Sequence, residues 1–141
     1  MPAVATQLLA DETDLALLGP PAICFGAMTS AQKLAHLRAR SGDVLAAYAK
    51  RYAVTRSAPL VKWGDFTKGL VVDLATYSLF CSRGFNPESK IDQTWQARAA
   101  TARETLNEIA DLENKNAKED PDVVDSTTTD EFVSLAASEG G

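Results

Sequence analysis

Three helical patterns, each with strong stop and start signals, follow one another across residues 29–112, and a 28-residue acidic, polar stretch comes after them. Helices that follow closely in sequence bury their apolar stripes most directly against each other. The pattern therefore predicts an all-α chain: a small helical bundle of three main helices plus a short N-terminal helix, with an extended C-terminal tail. At 141 residues and 45% hydrophobic content there is material for one compact domain and not for a second. The expected organisation is a short helix and apolar connector over residues 1–28, the bundle over 29–113, and the acidic tail over 114–141.

The punctuation is local and physical. Thr29 with Gln32 three residues later forms a capping-box signal, and Leu34, Leu37, Ser41, Val44, Leu45, Tyr48 and Tyr52 then recur at three- and four-residue steps. That predicts a first long helix of about 24 residues, roughly 36 Å long. Gly42 inside it suggests a bend or a close approach. Pro59 keeps Ala58 out of helical geometry, so the connection is a loop. The second pattern, about 63–82, is apolar on two faces and belongs in the middle of a bundle or between subunits. Arg83-Gly84 is a stop, and Asn86-Pro87-Glu88 reads as a restart. Ile91, Trp95, Arg98, Ala99, Ala102, Leu106 and Ile109 form the narrow seam of the third helix. Upstream, a short or broken helix near 6–18 ends at Gly19-Pro20-Pro21, and the greasy connector 22–28 is expected to pack on something.

The charge is uneven. Residues 1–113 hold 12 Lys/Arg and 12 Asp/Glu, whereas 114–141 hold 2 and 7, so the net charge of -5 lies in the tail. Residues 29–83 carry nine basic side chains against three acids, and attraction between this section and the tail, within or between copies, is expected. Residues 113–122 have the composition of a linker. Beyond them Thr127, Thr128 and Thr129 are β-formers, and Phe132, Val133 and Leu135 are apolar. Such a segment either stays disordered, or adds a strand to a sheet edge, or lies in a groove on another chain.

Catalytic chemistry is poorly supplied. His36 has no Ser, Cys or acid at a recruiting spacing, and the glycines make no phosphate-cradling loop. Asp65 and Asp73 lie on one apolar helix, where an ion pair between Asp73 and an Arg of the first long helix, such as Arg51, is favoured over an acid–base site. Cys24 and Cys81 match no metal or redox spacing and read as two buried thiols. No catalytic, cofactor or metal site is expected, and the function is not enzymatic. The N-terminal stretch lacks the pattern of a signal peptide and no run suits a membrane span, so a soluble protein is expected. DNA binding by the basic section is the rival reading, weakened by a sequence pI of about 4.8.

The run Tyr48-Ala49-Lys50-Arg51-Tyr52, the loop closing with Pro59-Leu60, the helix with Asp73-Leu74-Ala75-Thr76-Tyr77-Ser78-Leu79, then Arg83, Pro87 and a last helix with Trp95, resembles the head–tail connector proteins of tailed bacteriophages. These are neck adaptor or head-completion proteins, including a Mu-like group catalogued as a domain of unknown function. The resemblance covers about residues 29–112, and the N-terminal part and the Thr-rich tail depart from it. It implies an all-α protomer in a homo-oligomeric ring, usually a dodecamer, between the portal protein and the tail or next neck protein, assembled in the host cytoplasm and located in the virion neck. Phage DNA would pass through the channel without specific recognition. It also implies structural roles for Arg51, Tyr52, Pro59, Asp73, Tyr77 and Trp95, while in the tail Thr128, Phe132, Val133 and Leu135 are the residues expected, from their own character, to contact the portal or neighbouring subunits. The alternative is a small helical DNA-binding or packaging protein.

Overall fold

A computed structural model describes residues 7–54, 59–111 and 119–125. Helix α1 (Glu12–Leu18) is opened by Asp11, which accepts from the Asp14 amide while Asp14 accepts from the Asp11 amide. The chain then makes a 3-10 turn at Ala22–Phe25. Thr29 and Gln32 close the expected capping box at the head of α2 (Ser30–Tyr48). Helices α3 (Asp65–Arg83) and α4 (Lys90–Ala110) complete an all-α fold of four helices among the described residues.

One apolar core joins them. Leu37, Val44, Leu45 and Tyr48 of α2, Leu70, Val71, Val72, Leu74, Ala75, Leu79 and Phe80 of α3, and Trp95, Ala99, Ala102, Leu106 and Ile109 of α4 are buried together with Leu9, Leu15 and Phe25. Each large aliphatic or aromatic group so buried contributes about 1.5–3 kcal/mol relative to exposure. Helix α3 is central, packing on α1, α2, α4 and the 3-10 turn. Its two apolar faces are thus covered within one chain, and they make no demand for a neighbouring subunit. The connector 22–28 does pack, with Phe25 set against Phe80 at 5.7 Å between ring centres.

Three local expectations are corrected. The first long helix is shorter, because α2 ends at Tyr48 and the last turn to Tyr52 is held by Tyr52 N–H donating to the Tyr48 carbonyl at 2.7 Å. Gly42 makes no close approach, since a Cβ there would meet open space. The restart after Gly84 is not Asn86-Pro87: the Asn86 side chain accepts from the Glu88 amide to form a turn, and Ser89 caps α4. Gly84 itself takes a positive φ of 108°, the conformation that makes glycine the natural stop.

The α3–α4 corner is tied by Arg83 and Asp92. Arg83 Nη2 meets Asp92 Oδ1 at 2.7 Å and Nη1 meets Oδ2 at 3.2 Å, while Oδ2 also accepts from the Asn86 amide. The Asp92 side chain is only 3% exposed. The hydrogen bonds from Arg83 outweigh burial and hold its carboxyl below the ordinary aspartate value. Arg83 also donates to the carbonyls of Cys24 and Gly84 and lies over the Phe80 ring. The two partners are therefore unequal. Arg83→Met strands a buried carboxylate and is expected to cost about 3 kcal/mol, whereas Asp92→Ala leaves Arg83 with two carbonyls, a ring and partial hydration. Urea unfolding of both single variants and the double variant checks this; equal losses for the singles would refute the asymmetry.

Candidate interaction site

The most constructed polar feature lies where α2 ends, α3 begins and α4 finishes. Helix α3 has Gly64 at its N-cap and so no side chain of its own to receive its free amides. The carboxylate comes from 53 residues away: Asp120 Oδ2 accepts from Gly64 N at 2.8 Å, from Thr67 N at 3.3 Å and from Thr67 Oγ1 at 2.6 Å. Because the Thr67 hydroxyl proton is committed to Asp120, Tyr48 must donate in its 2.7 Å bond with Thr67 Oγ1. A buried relay, Tyr48 to Thr67 to Asp120, runs from α2 through the first turn of α3 to the chain beyond α4.

Residues 119–125 form a clasp around this point. Asp120 also accepts from Asp122 N through Oδ1 at 2.8 Å, which fixes the Asp-Pro-Asp turn. Val124 pairs with Lys62 in an isolated antiparallel bridge, Val124 N donating to the Lys62 carbonyl at 2.8 Å. Asp125 Oδ2 receives the Ala53 amide at 2.8 Å on the far side of the α2–α3 connection. Glu119 accepts from the Tyr52 hydroxyl at 3.2 Å and pairs with Arg51 at 3.5 Å. Gly64 is required for the close fit, since a Cβ there would stand 2.4 Å from Asp122 Oδ2. Asp120 is 4% exposed. Burial alone would raise its carboxyl, but the bonds from Thr67, Asp122 and Gly64 together hold it below the ordinary value of 3.8.

The opposite helix end is served likewise. Arg51 donates through Nε to the Ile109 carbonyl at 2.8 Å and through Nη2 to the Asp111 carbonyl at 2.9 Å, closing the C-terminus of α4, where a cation also suits the helix dipole. Arg51 is thus structural, but the expected pairing with Asp73 is corrected. Asp73 faces α4 and pairs with Arg98 at 3.0 Å, so its partner comes from the third main helix rather than the first. Burial raises the Asp73 carboxyl, and Arg98 offsets this only in part because half of its side chain is in water.

The remaining motif residues divide between places. Tyr52 belongs to the clasp and stacks at a tilt on Tyr48, 5.3 Å between centres. Pro59 is exposed on the loop. Tyr77 meets Phe85 edge-on, and Trp95 is a buried core residue beneath Arg98. Thr128, Phe132, Val133 and Leu135 lie outside the described residues. Sequence reasoning missed Glu119 and Asp120 because 113–122 has a linker's composition, and Asp125 because it stands in the same acidic stretch; Asp-Pro-Asp is a turn signal, but a turn signal does not tell where the turn docks. It also missed that His36, on α2, meets Ser78 of α3 at 2.6 Å through Nδ1. Burial and Arg40 lower the His36 pKa, and no described residue orients its other nitrogen, so the pair works as a pin between helices. Cys81 is exposed and Cys24 half-buried, not the two buried thiols expected, and both are free. Among the described residues no cluster of metal-binding side chains occurs and no helix is long and apolar enough to cross a membrane.

No family model, curated protein or solved structure matches the chain.

Two outcomes follow for stability. Asp120→Asn is expected to cost about 2 kcal/mol, the scale of losing a charged cap and leaving buried donors poorly met, whereas Asp73→Asn stays within about 0.5 kcal/mol. Asp120 and Asp92 have folded-state pKa values below 3.8, so the stability they give is whole above that value and drains as pH falls through the lower folded values. Denaturant midpoints against pH should therefore fall on acidification below about pH 4, less steeply in Asp120→Asn. A variant with the wild-type acid limb would show that Asp120 is not the linked group.

Proposed function

We propose that the chain is a structural virion protein, a head–tail adaptor that assembles as a ring under the portal of a tailed phage and joins the capsid vertex to the tail. The order of sequence elements over 29–112 that resembles that family is the first support. The observation that carries the reading is the clasp. The folded body runs past α4 to Asp125, where the chain is tied to the α2–α3 connection on both sides, and 16 further residues begin from that fixed base. A gripping segment is useful only if its base is held, and here it is held at a buried carboxylate. Phe132, Val133 and Leu135 are its contact groups for portal or neighbouring subunits.

Many copies, each with one weak segment, attach strongly because every contact after the first is intramolecular. The portal and the tail or next neck protein are the partners in this reading, with DNA crossing the channel unread. The DNA-binding alternative is weakened by how the basic residues are used: Arg40, Arg51, Lys68 and Arg83 all face carboxylates of the same chain. That leaves fewer cations for a phosphate backbone.

Two truncations test the proposal. A chain ending at Asp125 keeps the clasp and is expected to fold with wild-type stability yet lose attachment to the portal protein of its virion, seen by co-sedimentation and by electron microscopy of the assembled neck. A chain ending at Asp111 loses the clasp and is expected to lose stability as well. Full portal attachment by the chain ending at Asp125 would remove the gripping role from residues 126–141.

A further inference from the structure

Beside the clasp runs an open groove of about 370 Å³, with Leu8, Leu9, Ala10, Val61 and Trp63 as apolar walls, Asp11 and Asp14 on the α1 side and Lys62 and Lys68 on the α3 side. Its two sides are stitched together: the Gln7 side chain bonds both the amide and the carbonyl of Leu60, and Trp63 Nε1 donates to the Leu9 carbonyl at 2.7 Å. Val61 is 57% exposed despite lying next to Trp63. An exposed valine in a formed groove is surface that gains by being covered.

We propose that this groove is the docking site for residues 130–135 of the same chain, so that the free protein sheathes the apolar part of its own C-terminal segment. Proximity is the first argument. Val61 N–H and Lys62 N–H both point at the Val124 carbonyl, at 2.8 and 3.2 Å, so the groove starts one residue from where the segment departs. Six residues, 126–131, separate Asp125 from Phe132; they can span ~20 Å, ample to turn back into the groove. Chemistry is the second. Asp130-Glu131 precedes Phe132-Val133, which sets an acid pair at the rim when the apolar pair enters. At that rim Lys68 is shared with Asp14 at 3.6 Å, while the Lys62 amine meets no carboxylate among the described residues. Occupancy is the third. A short tether holds the segment at an effective concentration on the order of millimolar, so even weak docking is filled by the chain's own residues before a second copy competes.

The inference goes beyond the adaptor reading and does not depend on it, since docking is a property of the isolated chain. The indole N–H signals of Trp63 and Trp95 separate the groove from the core in a proton–nitrogen NMR spectrum, because Trp95 is buried between helices and Trp63 lines the groove. In full-length Phe132→Asp/Leu135→Asp protein the Trp63 indole signal and the amides of 8–10 and 61–63 are expected to shift while the Trp95 signal stays, and the shifts should not change on dilution of the wild-type chain. Unchanged groove signals in the double variant would overturn the proposal. So would wild-type groove signals that move with concentration, which would make the occupant a second copy. A charge-reversing Lys62→Glu variant in the full chain should reproduce the same shifts in part; no effect from it would remove the acidic pair from the contact.

Discussion

Helix ends are the constraint on which this structure turns. Each leaves amides or carbonyls that the helix cannot pair, and burying one unmet costs about 1–3 kcal/mol. At the outer ends the solution is local, with Asp11 opening α1 and Thr29 with Gln32 opening α2. Ser89 opens α4 in the same way, but at the head of α3 and the end of α4 the solution is remote. Asp120 caps α3 across 53 residues, and Arg51 closes α4 across 58. Arg83, at the end of α3, reaches the carbonyl of Cys24 across 59. Long-range polar ties of this kind, as well as the core, lock the fold.

These ties explain why α3 tolerates a glycine N-cap. A serine or aspartate at position 64 would cap locally, but its Cβ would collide with Asp122 and expel the turn that brings Asp120 in. The chain instead leaves the space and imports the carboxylate. The consequence is coupling. The first turn of α3, the end of α2 and the chain beyond α4 share one buried hydrogen-bond relay through Tyr48, Thr67 and Asp120, so loosening any one exposes donors in the others.

The helices were legible because their signals are local: capping box, apolar period, glycine stop. The all-α class and the centrality of the second main helix followed from the same patterns. What could not be read is partner choice across distance. Asp73 lay equally within reach of an Arg on either neighbouring helix in a one-dimensional view, and only the packing of α3 on α4 selects Arg98. The clasp was hidden more deeply. Residues 119–125 contain four acids and a proline, which by composition belong in water; Asp120 is buried because it meets the free amides of α3, and Val123 adds a contact with the core. His36 and Ser78 likewise meet only because α2 and α3 cross there.

A pull on the C-terminal segment would enter the fold at Asp125 and divide at once. One branch passes through the Ala53 amide to the end of α2, and the other through the Val124 carbonyl to Val61 and Lys62. Behind both stands Asp120, whose bonds lead to the N-terminus of α3, the helix on which every other element packs. Load applied beyond Asp125 would therefore be delivered to α3 rather than to α4, the helix nearest in sequence. A tether based directly on α4 would instead pull at a helix terminus that frays residue by residue. The clasp, by contrast, is a joint that must break several bonds together, including those of a buried carboxylate.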